Sequence, residues 1–205
     1  MEREVLEAVA EGKLDERDID RSVERIKKMV LEAAQALGKG KDCDYEAHHE
    51  LARMAAEQSA VLLKNDDDIL PLKEGQKIAI VGRMAENMRY QGAGSSHINP
   101  VKLVQPADVL ESGADVEGAD VAIVFAGLPP EYESEGFDRE HMRMPEEQER
   151  LIEETAAKNP NTVVVLFCGA PVETPWADKV KGILYMGLPG QAGGEAVKNL
   201  LYGKV

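Results

Sequence analysis

The chain has 205 residues, 43% hydrophobic and 30% charged, with a formal net charge of −14. That length accommodates one well-buried domain and an appendage but not two full domains, and no apolar run approaches the roughly 20 residues of a membrane span. The surplus of Asp and Glu argues against nucleic acid and anionic membrane surfaces, whose phosphates are held by clustered Lys and Arg. It is compatible with a neutral ligand such as a sugar.

The opening stretch, MEREVLEAVAEGK, is charged and helical in pattern, without the apolar core and small-residue cleavage site of a secretory leader. The two cysteines, Cys43 and Cys168, lie far apart and read as reduced thiols of a cytoplasmic protein rather than a disulfide framework. A helix capped by Asp15 or Asp18 is expected next. Its apolar stripe is Ile19, Val23, Ile26, Met29, Val30 and Ala33, at three- and four-residue spacings. It stops near Leu37, where Gly38-Lys39-Gly40 reads as a linker. A second helix is expected from Asp44 to about Leu62, with Ala47, Leu51, Met54, Ala55 and Val61 on its apolar face. Ile69-Leu70-Pro71-Leu72 then packs as a connector.

From there strands alternate with helices. Past Lys77, Asp120 and Thr162 at their starts, the runs 77–82, 120–127, 162–167 and 182–186 are apolar without alternation, which fits a parallel sheet covered on both faces. Pro145 opens a helix carrying Leu151, Ile152, Thr155 and Ala156, and Gly193-Gly194 leads into another ending at Tyr202-Gly203. The outline is α/β, a three-layer α/β/α sandwich with a mostly parallel sheet. The span from Pro106 to Ala119 has weak helical periodicity and is short for a parallel crossover, as if shortened there.

Ligands of open parallel sheets bind beyond the carboxyl ends of the strands. That rule selects the loops Arg83–Pro100, Leu128–Met144, Cys168–Trp176 and Gly187–Gly193. The second holds Glu131, Glu133 and Glu135 at alternate positions beside Pro129-Pro130. Crowded carboxylates favour the protonated form, as a general acid near neutral pH requires; the alternative is a solvated acidic loop. The first loop, with Gly92, Gly94, Ser95, Ser96 and His97, brings backbone close to a ligand but lacks the Gly-Lys-Ser/Thr of a phosphate loop. His48 and His49 are adjacent on a helix and do not share a face, which disfavours metal ligation.

Six motifs, in order, resemble the second domain of glycoside hydrolase family 3. They are Ala55 to Asn65 with Ile69 to Leu72, Gly94 to His97, Glu133 to Arg139, Asn159 to Val165, Gly169 to Val172 with Pro175-Trp176, and Pro189 to Gly194. The resemblance covers nearly all of 41–205, and residues 1–40 are similar to the last helix and linker of the preceding (β/α)8 barrel. It implies a retaining exo-acting β-glucosidase whose nucleophilic aspartate lies in the missing barrel and whose acid/base lies here. Glu135, directly before Gly136, matches the acid/base, with Glu133 as runner-up. Ser95, Ser96, His97, Asp138 and Arg139 would shape the mouth of the site. The implied substrate is a β-glucoside or short β-linked oligosaccharide, with neither metal nor organic cofactor. Rival readings are a non-catalytic sugar- or partner-binding module, a β-xylosidase, and the family's N-acetylglucosaminidase branch, against which the Glu-Gly-x-Asp-Arg pattern speaks.

Overall fold

A computed structural model describes residues 2–40 and 42–205, which form two compact units dividing between Cys43 and Asp44. The first unit is helical: α1 spans Glu2–Ala10 and α2 spans Glu16–Ala36. Asp15 caps α2 by accepting from the Arg17 amide at 2.9 Å, satisfying one of the unpaired amides of its first turn. Gly38, at φ +75, follows the helix end. The apolar stripe stands exposed, with Val23, Ile26, Met29 and Val30 each more than half accessible.

The second unit begins at α3 (Tyr45–Ser59), capped by Asp44, whose carboxylate accepts from the Ala47 amide. Here the structure departs from the sequence reading twice. The helix stops at Ser59, and Val61–Asn65 forms strand β1, paired antiparallel with the later strand β5 (Gly182–Tyr185). Edge pairing outweighs the helical periodicity that carried the expected helix to Leu62, and β-branched Val61 favours the strand. The buried face of α3 is also not the apolar one. Leu51, Met54 and Ala55 are exposed, whereas His49, Ala56 and Glu57 are buried. The polar pair is tolerated because both members have partners. His49 sits 2.8 Å from Glu195 and 2.9 Å from Gln191, and Glu57 accepts from Asn199 at 2.7 Å while pairing with Arg53.

The remaining strands are β2 (Ile78–Val81), β3 (Val121–Gly127) and β4 (Thr162–Phe167). The sheet order is β1-β5-β4-β3-β2, parallel throughout except for β1. Side chains alternate between two cores. Ile123, Phe125, Val163, Val165, Phe167 and Leu184 face α3 and α6 (Gly193–Leu201), and Val124, Val164, Leu166 and Ile183 face α5 (Glu146–Lys158) and Trp176. Every strand residue of β3 and β4 is buried, which is why these runs lack alternation. The span after Pro106 forms a single helical turn, α4 (Pro106–Val109), against α6. There the carbonyls of Val116 and Ala119 are held by the Asn159 side chain, both at 2.9 Å.

Candidate functional site

The loops that leave the carboxyl ends of β2, β3 and β4 converge around two carboxylates. Gly127 ends β3 at φ +155, and the chain after it reaches a tight turn in which Ser134 and Phe137 bridge, putting Glu135 and Gly136 at the tip. Glu133 and Glu135 consequently part company. Glu133 turns toward the loop after β4, where its carboxylate accepts from the Gly169 amide at 3.0 Å. A Cβ on Gly169 would fall 2.7 Å from that carboxylate, so a larger residue there would push the end of the Glu133 side chain aside. Glu135 turns instead toward the loop after β2. Its carboxylate accepts from the Ser95 amide at 2.8 Å and from the Ser95 hydroxyl at 3.0 Å. Gly94, at φ +79, backs so closely on Glu135 that a Cβ would lie 2.0 Å from Oε2.

The two carboxyls that the loop sequence sets close together thus have separate partners. Within this chain the Ser95 amide and then its hydroxyl hold the Glu135 carboxyl below the usual carboxylate range, because hydrogen bonds to the ionised form favour it. Beside Glu133 lies Cys168, whose thiol is pushed up to about 12, by burial first and the Glu133 charge second, against an opposing pull from Arg139. The Tyr185 hydroxyl donates to the Cys168 carbonyl at 2.7 Å, and its own pKa is raised, chiefly by burial.

The other residues singled out in the sequence divide by what they touch. Ser96 donates from its hydroxyl to the Ala93 carbonyl at 3.2 Å, folding its own loop, and His97 lies 3.4 Å from Gln91. Arg139 donates to the Pro171 carbonyl at 2.8 Å, tying the acidic loop to the loop after β4. Asp138 stands exposed at the rim. Among the described residues, no group of three or more His, Cys, Asp or Glu is gathered as metal ligands would be.

One contributor was missed at the level of sequence. Arg89 is 8% exposed and donates to the carbonyls of Gln91 and Glu133, both at 2.8 Å, so a single guanidinium clamps the glycine-rich loop to the acidic loop. Its signal was a lone cation between apolar Met88 and Tyr90, just ahead of the glycines. Beside this clamp opens a cleft of about 1160 Å³ at the ends of β2 and β3. Gly94 and His97 line it, and Glu133 and Glu135 do not; Glu135 lies behind Gly94.

The glycosyl hydrolase family 3 C-terminal domain matches residues 60–205. A curated relative, thermostable beta-glucosidase B of Acetivibrio thermocellus, is 45% identical, with all of this chain covering 31% of that protein. The alignment runs over 233 positions, more than this chain's 205, so the relative carries residues that have no counterpart here. An exo-alpha-(1->6)-L-arabinopyranosidase of Bifidobacterium breve is 39% identical, with 98% of this chain covering 32% of it. Among solved structures, a GH3 beta-glucosidase of Bifidobacterium adolescentis superposes with a TM-score of 0.85 at 38% identity, over 99% of this chain and 34% of that one. The chain thus spans about a third of the length of these relatives.

Proposed function

Since the chain belongs to glycoside hydrolase family 3 and carries that family's C-terminal domain, we propose that it supplies the general acid/base of a retaining, exo-acting β-glucosidase. The observation that carries this reading is Glu135. It is a carboxylate at the tip of a loop on the carboxyl edge of a parallel sheet, exposed yet held in place by Ser95. In the first step Glu135 protonates the oxygen that leaves the sugar while a carboxylate outside this chain attacks the anomeric carbon. In the second it takes a proton from the water that releases the sugar. Both steps are carboxyl chemistry and call for no metal or organic cofactor.

The low pKa of Glu135 in this chain is compatible with that role. In retaining enzymes the two carboxyl groups stand about 5–5.5 Å apart, and a like charge at that distance raises the acid's pKa. We therefore assign the raising of the Glu135 pKa to the remainder of the enzyme and its anchoring to Ser95. Glu133, bound to Gly169 and flanked by the Arg89 clamp, holds the loop in shape. The identity of the sugar belongs to the part of the enzyme that holds the glycone. The arabinopyranosidase among the relatives makes a pentopyranoside the second reading for it. We also place the residues that the relatives have and this chain lacks in the span 106–119, where the crossover has only one helical turn.

The test restores the remaining domains and compares Glu135→Ala with Glu133→Ala on glucosides with good and poor leaving groups. Glu135→Ala should lose about 10²–10⁴-fold on poor leaving groups and much less on activated ones, and azide, which needs no base, should restore the second step for the activated ones. That signature appearing in Glu133→Ala alone would reverse the assignment.

A further inference from the structure

We infer that Arg89 is a positioning residue for the acid/base: by gripping two turns at their bases, it sets how closely Ser95 and Glu135 meet at their tips. The kinetic consequence rests on the reading of Glu135 as proton donor. The hold of Arg89 on the two loops stands without that reading.

The arrangement is that of two arches whose tips touch. One arch is the turn closed by Ser134 and Phe137, with Glu135 at its tip. The residue before it, Glu133, gives its carbonyl to Arg89 Nη2 at 2.8 Å. The other arch is the glycine-rich loop. The Gln91 side chain closes its base, accepting from the Ile98 amide at 3.0 Å and donating to the Ile98 carbonyl at 2.8 Å, and Ser95 lies in the tight turn Gly94–Ser96 between them. The carbonyl of that same Gln91 takes Arg89 Nε, again at 2.8 Å. A planar guanidinium keeps its donors at a fixed separation, so the bases of the two arches are kept at one as well. At the tips, the Ser95 amide and hydroxyl meet the Glu135 carboxylate.

Other tethers of the acidic loop pull the opposite way. The Glu133 carboxylate on the Gly169 amide and Arg139 on the Pro171 carbonyl both lead to the loop after β4. Arg89 draws the main chain of the acidic loop toward the loop after β2. Glu135 itself is exposed, so packing does not fix it and the relation between the two loops has to. The residue type fits this task. A buried guanidinium is ordinarily matched by a carboxylate. Arg89 is buried, yet both of its acceptors are main-chain carbonyls, and its Nη1 has no partner among the described residues. What the position uses is the shape of the fork. A catalytic group displaced by about 1 Å can lose about 10²-fold in rate, so a fixed separation at the bases matters at the tips.

The test compares Arg89→Lys, which keeps the charge but replaces the fork by one ammonium, with Arg89→Met, which keeps the length and removes the charge. In the 205-residue chain, the Glu135 titration, followed by carboxyl carbon NMR, should move up toward the ordinary range in both as the hold of Ser95 loosens, and the Ser95 amide resonance should shift. A rise in Arg89→Lys cannot come from a lost cation. In the enzyme with its remaining domains, Arg89→Lys should lower kcat/KM about 10–10²-fold on phenyl β-glucoside, whose leaving group needs the proton, and less than about threefold on dinitrophenyl β-glucoside, whose leaving group does not. Placed on top of Glu135→Ala, it should cost less than about twofold more on phenyl β-glucoside, because it acts through Glu135. An unmoved Glu135 titration in the folded variants overturns the positioning role. Unfolding of both variants does so too, by making Arg89 a residue of the fold alone. Equal losses on the two glucosides, or a full further loss on top of Glu135→Ala, would mean that Arg89 acts on the substrate or the scaffold and not through Glu135. If Glu135→Ala itself shows no dependence on the leaving group, the proton-donor reading fails and takes the kinetic part of this inference with it; the titration then decides the positional part alone.

Discussion

Gly127 is the hinge at which β3 becomes the loop carrying Glu133 and Glu135, and alanine there should be among the costliest small substitutions in the domain. Its φ of +155 lies outside the range that L residues readily adopt, a strain of order 1–3 kcal/mol. A Cβ would sit 1.9 Å from the Phe167 carbonyl oxygen and 2.6 Å from its carbon, both backbone atoms of the neighbouring central strand. Relief requires β3 and β4 to separate locally. That endangers the 3.1 Å bond from the Leu128 amide to Phe167 and the 2.8 Å bond from the Gly127 amide to Gln148, each worth about 0.5–1.5 kcal/mol net. Together these give about 2–6 kcal/mol, against a total stability of roughly 5–15 kcal/mol. With a urea slope of about 2 kcal/mol/M, the midpoint should fall by about 1–3 M. The control is Gly136→Ala, where φ is not positive and a Cβ meets nothing within 4 Å, so the midpoint should hardly move. Equal midpoints for Gly127→Ala and Gly136→Ala would refute the reasoning, because backbone contact and φ are what distinguish the two sites.

Other outcomes follow from the same geometry. In Ser95→Ala the Glu135 carboxyl loses a hydroxyl donor that holds its pKa down, so its titration, followed by carboxyl carbon NMR, should move up toward the ordinary range. Because the folded pKa is depressed, any stability this contact adds is present above the unfolded pKa and is lost as pH falls through the folded one. Ser95→Ala should therefore flatten the acid side of the stability profile. Gly94→Ala should swing Glu135 off Ser95, seen as a shift of the Ser95 amide resonance; an unmoved resonance would show that the close approach is not needed. With a thiol reagent at pH 8, exposed Cys43 should react quickly, whereas Cys168, buried and pushed up to about 12, should react only on unfolding. Two fast thiols per chain would contradict the burial at the end of β4.

The parallel sheet was legible in the sequence because its strands are buried on both faces. Ile78–Val81, Val121–Gly127 and Thr162–Phe167 are unbroken apolar runs, and only a sheet covered on both sides asks for that pattern. The acidic loop was legible for a similar reason, since three glutamates on a Pro- and Gly-punctuated segment have a local signature. What the sequence could not decide was direction. Two glutamates two residues apart read as neighbours, yet the turn closed by Ser134 and Phe137 sends Glu133 to Gly169 and Glu135 to Ser95. Their partners lie about 36 and 40 residues away along the chain, a separation that carries no periodic signal. The same holds for α3, whose periodicity pointed to Leu51 and Met54 as the buried face. The fold buries His49 and Glu57, because α6 and its preceding loop supply Glu195, Gln191 and Asn199 some 140 residues later. Apolar pattern is a property of a segment and can be read from it. Whether a charge is buried, and what a carboxylate holds, depends on groups that only the folded chain brings within about 3 Å.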